Sequence, residues 1–224
     1  MPDSDSVNRP EADAYIFLAS RRQELQTAYA RHFQTLPVGA GQIGTLQKLS
    51  DDTLRAQISL LVEADTEATV VLIPYIGDVY LTDASGKTRL QEEGQVYAWS
   101  VKKGETYEVR NPYEDQAIQF FQVVFDCHST RLVQTKPIVI EDHRNELLPL
   151  FEGESRILIG QYDGRTEGAY PVQNKTHCVF IFVIEGAFEV QNRLLETRDG
   201  LALWQEEVEF EALSQDAVLM IIEI

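Results

Sequence analysis

The sequence predicts an all-β protein made of two similar barrels, and three observations carry this. A unit of strand, turn, strand and glycine occurs twice. Residues 76–109 read IGDVYLTDASGKTRLQEEGQVYAWSVKKGETYEV, and residues 185–212 read EGAFEVQNRLLETRDGLALWQEEVEFEA. In each copy a Gly opens an alternating strand (Gly77, Gly186), and a second Gly follows a turn (Gly94, Gly200). A Trp comes four or five residues later (Trp99, Trp204). The second observation is that, from Gly44 onward, short runs rich in Val, Ile, Tyr, Phe and Thr alternate with turn residues, the pattern of sandwiches and barrels. The third is size: 224 residues with 44% hydrophobic content can bury two real cores.

The elements follow in order. Residues 1–13 are polar and read as a flexible tail. A short apolar run at 15–18 reads as a strand. Between 21 and 33, Leu25, Ala28, Tyr29 and Phe33 fall at helical spacing, which predicts a short helix without a clear cap. Residues 37–44, with three glycines and a proline, read as a loop. Strands are expected at 45–49, 56–62, 70–74, 78–82, 88–90, 95–100, 106–110 and 117–125. Ser50-Asp51-Asp52, Asp83-Ala84-Ser85-Gly86, Lys102-Lys103-Gly104 and Asn111-Pro112 read as the turns between them. The run at 70–74 is continuously apolar, so it is expected to be covered on both faces. Residues 126–155 carry mixed charge and two prolines, and read as a linker with a strand at 138–140 and an apolar turn at 146–151. Strands resume at 156–162, 168–171, 179–185, 188–191, 193–196, 201–204, 207–212 and 217–224. The domain boundaries expected are 14–125 and 156–224. The second unit is small for a self-sufficient core, and a strand exchanged between the domains would help it.

Acidic residues outnumber basic ones 36 to 19, a net charge of −17, which disfavours non-specific binding to nucleic acid or anionic membranes. No run of 18 apolar residues is present to span a membrane, and the first residues lack the pattern of a signal peptide. The expected location is cytoplasmic. The two cysteines, Cys127 and Cys178, form neither a CxxC pair nor a disulfide framework and read as free thiols.

The Gly-opened hairpins with a second Gly after the turn resemble the skeleton of the cupin barrel. The first copy, GDVYLTDASGKTRLQEEGQVYAWSVKKGETYEVRNPYED, resembles the N-terminal cupin of pirin-like proteins. The second, a YDGR segment followed by EGAFEVQNRLLETRDGLALW, resembles that family's quercetinase-type C-terminal cupin domain. The resemblance covers residues 14–224 and implies a bicupin, two double-stranded β-helix barrels in one chain. It also implies one of two roles: an iron-dependent dioxygenase opening the flavonol quercetin, or a co-regulator without settled chemistry.

The dioxygenase role needs a metal with open positions, held by imidazoles and a carboxylate. In the pirin-like pattern a His-x-His pair lies twelve and fourteen residues before the first hairpin Gly, and a His-x-Glu pair lies on the strand after the second. Gap-free counting from Gly77 and Gly94 lands on Asp65, Glu63, Tyr107 and Val109. All the family's histidines are missing there. In the second copy the count reaches Asn174 and Val172, and the later strand offers Glu209 and Glu211 but no His. Two readings of Glu63, Asp65 and Tyr107 stand side by side. They form a candidate binding pocket at the degenerate metal positions, whose oxygen donors suit a hard divalent ion, or 63–67 is an acidic solvated turn.

The histidines His32, His128, His143 and His177 form no metal-binding pair. Cys127-His128 and His177-Cys178 are neighbours whose side chains diverge on an extended chain, which argues against a clamp or a thiol nucleophile. Gly39-Ala40-Gly41-Gln42-Ile43-Gly44 matches G-x-G-x-x-G in letters but precedes a strand, so the dinucleotide context is lacking. Trp99 and Trp204 read as equivalent aromatics that fill a core or stack on a ligand. Arg165, after the turn at Asp163-Gly164, is expected to meet an acid across the domain interface. The expectation is therefore a pirin-like bicupin with a degenerate metal site. It has no catalytic residues and no cofactor, and its partner is a small molecule or a protein. The alternative is a quercetin 2,3-dioxygenase-like enzyme with a divalent metal ion.

Overall fold

A computed structural model describes residues 14–36, 43–126, 133–174, 176–205 and 207–224. β1 (Ala14–Phe17) comes first, then β2 (Gln23–Gln26), β3 (Ala30–Gln34), β4 (Leu46–Leu54) and β5 (Ser59–Glu63). The first repeat supplies β6 (Ala68–Ile76), β7 (Val79–Thr82), β8 (Thr88–Gln91), β9 (Tyr97–Val101), β10 (Thr106–Arg110) and β11 (Ile118–Phe125). β12 (Val133–Gln134) and β13 (Leu148–Glu152) lie on either side of a single 3-10 turn, Ile140–His143. β14 (Arg156–Tyr162) and β15 (Glu167–Pro171) lead to the second repeat. It supplies β16 (Val179–Glu185), β17 (Ala187–Val190), β18 (Arg193–Glu196), β19 (Gly200–Leu203), β20 (Glu207–Ala212) and β21 (Ala217–Glu223).

The strands make two barrels, each from a large and a small sheet. The first pairs the sheet β12-β9-β6-β11-β4-β3-β2 with β5-β10-β7-β8. The second pairs β1-β19-β16-β21-β14-β13 with β15-β20-β17-β18. Apart from β2, which has no counterpart in the second barrel, the two orders correspond strand for strand, so the sequence repeat is a repeat of topology. In each copy the hairpin glycine holds a left-handed backbone, φ 77° at Gly77 and 76° at Gly186, which an L side chain rarely adopts. A register shift in the adjoining strand pair accompanies each, at Gln119/Phe120 and at Val183/Glu185.

The central strands of the large sheets are apolar on both faces because both faces are covered. In β6, Val70 and Leu72 point into the first barrel, while Val71 and Ile73 point into the seam between barrels. In β16, Val179, Ile181 and Val183 fill the second barrel, and Phe180, Phe182 and Ile184 enter the same seam. The seam is thus a third core, and the two large sheets pack against each other through it.

The outermost strands are where the halves exchange. β1 comes before the first barrel in the chain, yet pairs antiparallel with β19 of the second, from Ala14↔Leu203 to Phe17↔Gly200. Phe17 lies 5.4 Å from the Phe180 ring. The first barrel's equivalent edge, on β9, is covered by β12 from the connecting segment. Each covered edge is one fewer row of unpaired backbone groups.

Four expectations are corrected. The helix expected over 21–33 is the β2–β3 hairpin, preceded by a 3-10 turn at Ala19–Arg21. The Thr27 hydroxyl accepts hydrogen bonds from the Tyr29 and Ala30 amides, and β3 adds to the edge of β4, so tertiary pairing overrides a weak uncapped helical spacing. The turn expected at Ser50-Asp51-Asp52 is the buried middle of β4. The strand expected at 138–140 is not formed, and the 3-10 turn begins at Ile140. The apolar turn expected at 146–151 is instead largely β13, which extends the second barrel's large sheet.

Candidate functional site

β4 determines the polar interior. Its side chains alternate between the two faces, so Asp51 and Asp52 go in opposite directions. Asp52 enters the first barrel and is 1% exposed. The paired residue on β3, His32, brings Nδ1 to 2.5 Å from Asp52 Oδ1. Ser50 Oγ and Gln122 Nε2 each donate to Asp52 Oδ2 at 2.8 Å. Tyr107 OH donates to Gln122 Oε1 at 2.6 Å. The result is a continuous chain, Tyr107 to Gln122 to Asp52, with His32 and Ser50 closing it. Burial, with Asp52 nearby, pushes the Tyr107 phenol up, so it stays protonated and a donor. Burial pushes the Lys48 ammonium down, opposed by Asp52 and Asp65.

Tyr107, Glu63 and Asp65 do not meet in one pocket. Thr106 is paired with Glu63 and Tyr107 with Val62, so Tyr107 and Glu63 project to opposite faces of the small sheet. Tyr107 is buried, whereas Glu63 and Asp65 are exposed. Val109 is fully buried in the first barrel's core. In the second barrel Val172 joins the core, while Glu209 is exposed and Glu211 sits beside Arg165 at 3.2 Å. Arg165 thus meets an acid of its own barrel and not one across the seam.

The donors inside the first barrel do not fit a non-haem iron centre. They include one imidazole, His32, whose Nδ1 is taken by Asp52. Both Asp52 oxygens already accept from protein groups, and the Tyr107 proton is committed to Gln122. Among the described residues no three His, Cys, Asp or Glu side chains converge.

Above this network the barrel mouth forms a cleft of about 390 Å³, walled by Tyr97, Trp99 and Tyr107 and edged by Asp83 and Glu105. Trp99 stands edge-on to Tyr107 at 5.1 Å. The two tryptophans are not equivalent. Trp99 pairs with Val70 and faces the barrel, whereas the matching position beside Val179 is Leu203. Trp204, one residue further, packs against the seam core. Spacings of five and four residues from the second glycine differ by one, and one residue reverses a strand's face.

Asp51 points into the seam. Arg22 reaches its Oδ2 at 3.4 Å, and Arg198 of the second barrel reaches the same atom at 3.0 Å. Gln119 Nε2 donates to Oδ1 at 2.6 Å. The guanidiniums also lie over Phe33 and Phe121, at 4.8 and 5.4 Å.

His32, Asp52, Gln122, Arg22 and Arg198 were not legible as a site. Ser-Asp-Asp reads as a turn, and the pairing that brings His32 to Asp52 is set by sheet register alone. His177 lies 3.5 Å from Glu223 of β21, and His143 is exposed beside Glu146 at 3.7 Å. Cys178 is a buried free thiol, pushed up to about 12 by burial. Cys127-His128 and most of the Gly39–Gly44 segment lie outside the described residues. Among the described residues no helix is long and apolar enough to cross a membrane.

Comparison with known proteins agrees with this architecture. Residues 142–224 match the family model of the quercetinase C-terminal cupin domain. No curated protein matches the chain by sequence. Among solved structures, YhhW from Escherichia coli superposes with a TM-score of 0.78 at 15% identity, covering 94% of this chain and 97% of that one. A second structure, bacterial pirin YhhW in complex with nickel(II) from the same organism, gives 0.77 at 15% identity, covering 94% and 98%. Quercetin 2,3-dioxygenase from Acinetobacter baumannii gives 0.75 at 15% identity, covering 93% and 85%. Residues 142–224 thus form a quercetinase-type C-terminal cupin domain, and the chain as a whole has the two-barrel cupin fold of these solved structures.

Proposed function

We propose that this bicupin is a binding protein and not a dioxygenase. The observation that carries the reading is the state of Asp52. Its two oxygens are used by His32, Ser50 and Gln122, so the first barrel's interior is a closed polar network and not an open coordination sphere. A metal would have to break three hydrogen bonds to a buried carboxylate before gaining one ligand. The cleft at Tyr97, Trp99 and Tyr107 is the binding surface in this reading; its rings are buried and Arg89 lies over Tyr97 and pairs with Asp83, so a small molecule would meet ring edges beside a compensated charge.

The test is metal analysis of protein purified without chelators, with oxygen uptake on quercetin. Iron and nickel well below one per chain, before and after reloading, with no uptake above the buffer rate, is the expected result. Near-stoichiometric metal with turnover would overturn the proposal. Asp52→Asn should leave the metal content unchanged.

A further inference from the structure

The seam between the barrels holds a second cavity, of about 270 Å³, unrelated to the first barrel's interior. Its floor is apolar: Ile73 from the first barrel, and Leu150, Ile159 and Val218 from the second barrel's large sheet. One polar side chain breaks that floor. Gln161, at the end of β14 opposite Val218, is 8% exposed, and its buried Oε1 has no hydrogen-bond partner among the described residues. A buried acceptor left unmet destabilises the fold, and a ligand donor placed there would recover that cost. The surrounding polar groups share one sign. Glu93, Glu141 and Glu185 line the cavity, and among the described residues no Lys, Arg or His does. Glu185 Oε1 accepts from Tyr75 OH at 2.7 Å, a hydrogen bond across the seam at the cavity wall. Two apolar residues at the lining, Ile76 and Val139, are 50% and 54% exposed.

We infer that this cavity is a binding site for a compact apolar amine, with its body on the Ile73–Leu150–Ile159–Val218 floor and its ammonium donating to Gln161 Oε1. The volume lies just under the ~300 Å³ that opens the usual range for small-molecule sites, so a fragment of one ring and a short arm fits and a polycyclic flavonol does not. The acidic lining favours a cation and opposes a carboxylate of the same shape. The site deepens the binding-protein reading but does not depend on the first barrel. Loss of amine binding would remove the seam site alone, whereas iron-dependent turnover would remove the binding-protein reading alone.

Three probes share a body and differ in head group: 2-phenylethylamine, 2-phenylethanol and 3-phenylpropionate. In amide-resolved NMR titrations of the full chain, the amine should saturate with shifts centred on Gln161, Leu150 and Val218. The alcohol should bind more weakly and the carboxylate not at all. Gln161→Leu should lower amine affinity at least tenfold. Glu185→Gln, at an exposed position, should weaken the amine several-fold and leave the alcohol unchanged. The inference is overturned if no probe saturates at the seam, if the carboxylate binds as well as the amine, or if both variants bind the amine like the parent chain.

Discussion

Asp51 and Asp52 are neighbours in β4, and their carboxylates serve different cores. Asp51 enters the seam, where Arg22 and Arg198 meet it from the two halves of the fold. Asp52 enters the first barrel, where His32, Ser50 and Gln122 surround it. One strand therefore joins the packing of the barrels to the chemistry inside one of them.

Replacing Asp51 with Ala leaves two guanidiniums in the seam without their carboxylate. Arg22 is 3% and Arg198 17% exposed at the side chain, so neither is well solvated. Removing one partner of a buried ion pair costs about 3–5 kcal/mol. Urea unfolding should show that loss, and Asp51→Ala combined with Arg198→Met should recover part of it.

Tyr107→Phe removes only the donor to Gln122 Oε1 and retains the ring against Trp99. The stranded acceptor predicts about 1–3 kcal/mol of destabilisation. Metal content should not change, because Tyr107 is a structural donor in this reading. Denaturant midpoints and metal analysis on the same preparation check both halves.

Phe17→Ala tests the exchanged strand. Phe17 is 8% exposed and packs on Phe180, so truncation should cost about 3–5 kcal/mol, as for other buried aromatics. Hydrogen exchange should rise along β19 and stay unchanged along β9, whose edge β12 covers.

Glu223 links stability to acid. Burial alone would raise its carboxyl, but Tyr170 OH, the Gln173 and Asn174 amides and His177 together hold it below the ordinary carboxylate range. A carboxyl depressed in the folded state stabilises above its unfolded value, about 4.3, and that contribution is lost as pH falls through the folded value. Thermal melts should decline below about pH 4.3, and Glu223→Gln should flatten that part of the decline while lowering stability at neutral pH.

Cys178 should be silent to thiol reagents at pH 8 in the folded protein, since burial holds its thiol near 12. In a Cys127→Ser background, labelling with a maleimide should appear only with unfolding. Reaction at the native rate of an exposed thiol would contradict the packing around it.

The amino-acid sequence by itself determined the β class, the doubled hairpin and the two-sided cover of β6, because alternation, turn glycines and apolar runs are local. It also showed that imidazoles are missing from the family's positions, since that is a matter of residue identity. Whatever depended on register was decided by tertiary structure. Glu63 and Tyr107 are on opposite faces, Trp99 and Trp204 belong to different cores, and Ser50-Asp51-Asp52 is buried strand and not a turn. The reason is physical: a carboxylate is buried only when distant partners compensate it, and those partners, His32, Gln122, Arg22 and Arg198, are brought in by strand pairing and packing that no local pattern encodes.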